Sequence, residues 1–197
     1  MVAGHNGSTT KAWRRALLGV LYSTGFSAGG QTTREDFLTN REDKQIQSYG
    51  NPASYLKDAG GAVIGDETNL AGTDNSYMTV PSSTYPFLTH TVQLVFAGTA
   101  SASATEISVT LESQVNVDNI RERIEVYDRL TGGWLTVSDQ VASNGTDATT
   151  ILPIKNDPAQ FIDPSTGTFK VRVRYQGGMG TPFTAKLDWL VWSYTGS

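Results

Sequence analysis

From Phe169 to Tyr175 apolar and polar residues alternate without a break: Phe169, Val171, Val173 and Tyr175 share one side, and Lys170, Arg172 and Arg174 the other. A period of two places one set on a core and the other in solvent, as in a half-buried strand. After a Gly-rich turn the alternation resumes, with Ala185, Leu187, Trp189 and Val191 on one face and Lys186, Asp188, Leu190 and Trp192 on the other. The second face changes from charged to apolar half-way along. Read in one unbroken register, this strand turns Leu190 and Trp192 outward as a contact patch, covered by another chain or by the N-terminal helix of the same chain.

The same reading finds further short strands at about 62–64, 77–80, 91–97, 106–113, 123–129, 134–138 and 148–151. Val92, Leu94 and Phe96 point inward on one of them, and Ile107, Val109 and Leu111 on another. The separators are rich in turn residues: Gly72-Thr73-Asp74-Asn75, Thr131-Gly132-Gly133, Asn144-Gly145 and Gly177-Gly178. Short strands with no helical period between them predict an all-β chain folded as an antiparallel two-sheet sandwich over residues 54–197.

Residues 1–53 read differently, as an extended arm. Thr10 can cap a short helix over about 11–22, on which Trp13, Leu17 and Leu21 share a face. Its apolar run is too short for a secretory signal. Phe37 and Leu38 lie between mixed-charge clusters and read as anchors, and Gly50-Asn51-Pro52 as punctuation before the sandwich. So polar an arm cannot order itself unless a partner surface receives it, because each ordered residue costs about 1–2 kcal/mol.

The 197 residues are 38% hydrophobic and 17% charged, with a net charge of −4 and no cysteine. Disulfides and thiolate chemistry are excluded, and bulk attraction to nucleic acid is not expected. No apolar run is long enough to cross a membrane. The charge is uneven: Lys11, Arg14 and Arg15 stand without an acid in residues 1–33, whereas residues 51–197 hold nine basic and fifteen acidic side chains. Two histidines, His5 and His90, and no phosphate loop, nucleophile triad or zinc motif predict a non-enzyme.

Several stretches resemble, in order, a jelly-roll module that recurs in bacterial extracellular and phage-encoded proteins. They are Gly72-Thr73-Asp74-Asn75-Ser76-Tyr77-Met78-Thr79-Val80, the hairpin from Val126 to Trp134, the strand from Gly167 to Arg174 and the closing strand from Phe183 to Trp192. The resemblance covers about residues 55–193 and implies a jelly-roll sandwich. Leu187-Asp188-Trp189-Leu190 is also similar to the last strand of calcium-stabilised carbohydrate-binding jelly rolls. That likeness implies a structural calcium on Asp188, with Asp74, Asn75, Asp66 or Glu67 as further oxygen ligands.

The expected function is that of a non-enzymatic structural subunit of a large assembly, most readily a phage virion protein such as a capsid cement or decoration protein. It would act as a homo-oligomer docked on a capsid or tail protein through Trp13, Leu17, Leu21, Phe37, Leu38, Leu190 and Trp192. One alternative is a glycan-binding jelly-roll module, with Trp134, Tyr85, Tyr175, Trp192 and Tyr194 as candidate aromatics. Another is a subunit of an extracellular filament or surface layer.

Overall fold

The computed structural model describes residues 47–85 and 89–196. The expected helix at 11–22 and the anchors Trp13, Leu17, Leu21, Phe37 and Leu38 lie outside the described residues.

Eleven strands follow one another: β1 (Gln47–Gly50), β2 (Pro52–Ala59), β3 (Met78–Pro81), β4 (Ser83–Tyr85), β5 (Thr89–Thr99), β6 (Ala104–Val115), β7 (Arg121–Asp128), β8 (Gly133–Val141), β9 (Ala148–Ile154), β10 (Thr168–Met179) and β11 (Thr184–Gly196). The only helical pieces among the described residues are 3₁₀ turns at Glu67–Leu70 and Pro158–Gln160. One sheet runs β1-β11-β6-β9, with β3 also on β11; the other runs β2-β5-β10-β7-β8, with β4 on β5. Every strand pairing is antiparallel. The described residues thus form the antiparallel two-sheet sandwich that the alternation predicts, with the jelly-roll architecture that the resemblance implies.

Most of the inward residues read from the sequence lie in the core. Val92, Leu94 and Phe96 of β5, Val109 and Leu111 of β6, and Phe169, Val171, Val173 and Tyr175 of β10 are all at 0% exposure. The hairpin at 126–134 forms, with Tyr127 opposite Trp134 and Asp128 opposite Gly133. Asp128 Oδ1 closes its turn by accepting from the Leu130 and Thr131 amides.

Three expectations are corrected. The sandwich begins at β1 rather than at residue 54: Gly50-Asn51-Pro52 does not close an arm but carries the chain from one sheet to the other, since β1 pairs with β11 and β2 with β5. The stretch 62–64 is no strand and contributes a single bridge, Ile64 to Thr79. Leu190 and Trp192 are not an outward patch; both are fully buried in the core. The cause is a bulge. Leu187 opposes Ser113 and Trp189 opposes Glu112, so Asp188 has no partner on β6. One extra residue reverses the faces of everything after it. Leu190 and Trp192 turn inward, and Trp189 turns to the outer face, half-exposed.

Trp192 is held closely. Its ring meets Phe169 edge-to-face with centroids 5.2 Å apart. A Cβ on Gly98 would lie 2.6 Å from its Cζ2 atom, so only glycine lets the β5 backbone approach.

Candidate functional site

The two sheets present outer faces of opposite character. On the five-stranded sheet, the Asp188 bulge aims a carboxylate at Glu112 of β6 and at Asp147, the residue before β9. One carboxylate oxygen from each of the three lies within 4.8 Å of the others. Asp188 is 2% exposed. Its Oδ1 and Glu112 Oε2 are buried without a hydrogen-bond partner. Burial pushes the Asp188 carboxyl up, and repulsion from Asp147 and Asp74 adds to it, against the Asn75 and Ser76 amides that stabilise its charge. Glu112 is pushed up by burial and by the Asp188 and Asp147 charges.

A ring of polar groups frames the cluster. Tyr77 donates to Asp147 Oδ2 at 2.6 Å, and Gln114 donates to Asp147 Oδ1 at 2.9 Å. The Asp147 bond, with burial, pushes the Tyr77 phenol up to about 12. Lys186 lies over the Tyr77 ring, 5.2 Å from its centroid.

Of the metal ligands expected from the sequence, Asp188 stands in this cluster. Asp74 stands in the adjacent turn, where its Oδ1 accepts from the Ser76 amide at 2.9 Å. Asp66 caps the 3₁₀ turn through the Thr68 amide. Glu112 and Asp147 were missed, because neither has a sequence signal; only β6–β11 pairing and the β8–β9 loop bring them to Asp188.

The six-stranded sheet carries a basic and aromatic outer face. Outward residues of β7, β8 and β10 meet in rows: Trp134 opposite Tyr127, then Glu125 opposite Arg172, then Arg123 opposite Arg174. The Tyr127 and Trp134 rings meet edge-to-face with centroids 5.4 Å apart. Arg172 stacks over Trp134, 4.4 Å from its centroid, and donates to Glu125 at 2.6 Å. Lys170 stands 5.5 Å from the Tyr127 centroid. Arg121 and Arg123 both grip Asp139, and their bonds hold its carboxyl down to about 2. A recess of about 160 Å³ opens beside Tyr127 and Lys170, floored by the buried Phe161 and lined by Arg129, Asp163 and Thr168.

The candidate aromatics of the glycan reading separate on these faces. Trp134 stands half-buried on the outer face. Tyr175 and Trp192 are core, and Tyr194 packs partly against it. The Tyr85 side chain lies outside the described residues. A larger groove of about 570 Å³, on the five-stranded sheet, is lined mainly by hydroxyl and charged groups such as Ser108, Ser193, Thr195 and Glu106.

No protein-family model and no curated protein sequence matches the chain. Solved structures similar to it include a mutant of a family 29 carbohydrate-binding module, 15% identical, covering 75% of this chain and 92% of that one with a TM-score of 0.44. A family 29 mutant complexed with mannohexaose is 15% identical over 76% of this chain and 92% of that one, TM-score 0.45. A family 4 carbohydrate-binding module is 16% identical over 72% of this chain and 94% of that one, TM-score 0.45. Likeness at this level says nothing of what this chain binds.

Proposed function

We propose that the sandwich is a non-catalytic glycan-binding module whose binding surface is the outer face of the six-stranded sheet. The observation that carries this reading is the Trp134–Tyr127 pair, half-buried and held in place by Arg172 and Lys170 on an arginine-rich face. Sugars offer apolar C–H faces to an aromatic ring and hydroxyls to charged and amide groups. A rigid ring pair beside Lys170, Glu125 and the recess at Arg129 and Asp163 supplies both. Rings already held by cations lose little freedom on binding, which favours affinity.

The acidic cluster is part of the same proposal as a structural divalent-cation site. Asp188, Glu112 and Asp147 fit such an ion, because two of their oxygens are buried without donors and a hard cation would supply the missing partner. All-oxygen donors favour calcium. Bound there, it would tie the β8–β9 loop and the Asn75–Ser76 turn to β6 and β11, replacing repulsion by ligation. A glycan ligand puts the place of action outside a cell or on a particle surface. The virion subunit expected from the sequence rests on the arm, outside the described residues.

The test is affinity electrophoresis of the full chain through gels containing polysaccharides, with Trp134→Ala as control. Retardation that Trp134→Ala abolishes supports the reading. No retardation in any neutral or acidic polysaccharide overturns it.

A further inference from the structure

The geometry points to an acidic polysaccharide bearing uronate carboxylates as the ligand of this face, with Arg174 as the residue that selects it. This rests on the glycan reading above. Residues 51–197 contain nine basic side chains, and five of them, Arg121, Arg123, Lys170, Arg172 and Arg174, point outward from β7 and β10 onto this one sheet. Among the described residues Asp58, Glu125 and Asp139 stand among them, and Asp163 at the recess is matched by Arg129. The face is therefore positive on a chain whose net charge is −4.

Most of these cations are already engaged. Arg121 and Arg123 hold Asp139, Arg172 holds Glu125 and stacks on Trp134, and Lys170 stands over Tyr127. Arg174 makes no hydrogen bond or ion pair within the described residues. It sits mid-sheet between Gln93 of β5 and Arg123 of β7, half-buried. Gln93 turns its amide to Asp58 at 3.0 Å, away from any role as its partner. An arginine left without an anion in the middle of a sheet face is a ready receptor. Its planar fork matches a carboxylate in two parallel bonds, which a point charge does not do. Arg174 lies two residues along β10 from Arg172 and two rows from the Tyr127–Trp134 pair, four residues or about 13 Å along the strands at the usual rise. A polysaccharide laid along the strands with one sugar unit against Trp134 and Tyr127 thus carries the carboxylate of a later unit past Arg172 to Arg174. The paired acids Glu125 and Asp139 disfavour a ligand of dense, unbroken negative charge such as nucleic acid or a heavily sulfated chain.

The experiment is affinity electrophoresis and titration calorimetry of the full chain with polygalacturonate, with neutral mannan, with heparin and with single-stranded oligonucleotide, for the unmodified protein, Arg174→Gln and Trp134→Ala. The expected result is polygalacturonate binding that weakens as salt rises, falls at least tenfold in Arg174→Gln, and is also lost in Trp134→Ala. Thermal melts of both variants should match the parent. Equal binding of mannan and polygalacturonate, or polygalacturonate binding unchanged in Arg174→Gln, overturns the acid selectivity and leaves the glycan reading standing. Heparin or oligonucleotide bound more tightly than polygalacturonate overturns it in favour of a general polyanion surface. No binding to any polysaccharide overturns both.

Discussion

Trp192 donates its indole N–H to the carbonyl of Thr99 at 2.8 Å, a bond that runs from the last strand of one sheet to the β5 strand of the other. It satisfies the polar atom of the largest fully buried side chain in the sandwich. The expected outcome of Trp192→Ala is a loss of about 3–5 kcal/mol of unfolding free energy, the usual cost of emptying a core site of this size. Trp192→Phe keeps an aromatic ring but leaves the Thr99 carbonyl without a donor, so about 1–3 kcal/mol is expected. Urea denaturation of both variants measures this. A stable Trp192→Ala protein would return the indole to the surface.

Calcium should raise the melting temperature of the full chain and EDTA should lower it. With calcium at a hundredfold its dissociation constant, linkage gives about 2.7 kcal/mol, or roughly 5–10 °C for a chain of this size. Asp188→Asn should abolish the calcium response without lowering the metal-free melting temperature, because it removes one of the repelling charges. Differential scanning calorimetry with and without EDTA decides between a cation site and a strained cluster. An equal calcium response in Asp188→Asn moves the ion elsewhere.

Trp134→Ala and Tyr127→Ala should each weaken glycan binding by about 2 kcal/mol or roughly thirtyfold, the size typical of an aromatic anchor. Both rings stand on the outer face of the sheet and outside the core cluster, so the melts should change little. Calorimetric titration of the polysaccharide found in the gel screen gives the number. Loss of binding that tracks loss of folded protein would mean the rings are structural.

Asp139 sets an acid limit. Arg121 and Arg123 hold its carboxyl below the ordinary 3.8, at about 2. Its folded value is depressed, so the stability it contributes is fully present above pH about 4 and is lost as pH falls through about 2. Asp139→Asn should flatten the unfolding free energy between those two values. Urea titrations across that range are the check; an unchanged slope would show that the two arginines do not hold Asp139 in solution.

The strands from β5 to β10 were legible in the sequence because their pattern is local. Val92, Leu94 and Phe96, and Phe169 to Tyr175, alternate with their own neighbours, and each strand needs only to know which of its faces is apolar. The basic outer face was legible for the same reason: Lys170, Arg172 and Arg174 are the other half of that alternation. The break at Asp188 left a trace too, since Leu187 and Leu190 are apolar three apart, a spacing that no regular strand puts on one face. Only the pairing with β6 turned that trace into a bulge.

What the tertiary structure alone decided is where distant residues meet. Asp188 is 76 residues beyond Glu112 in the chain, and nothing local to either carboxylate announces the other. Their approach follows from strand register, with Trp189 opposite Glu112 on paired strands and Asp147 placed by a loop. Register is set by the summed fit of two sheets, so the carboxylates, the free Arg174 and the buried Trp192 are consequences of the whole sandwich. The alternation determined that a two-sheet sandwich would form and which strand faces would be wet; the packing of one sheet on the other determined which charges would be left without partners.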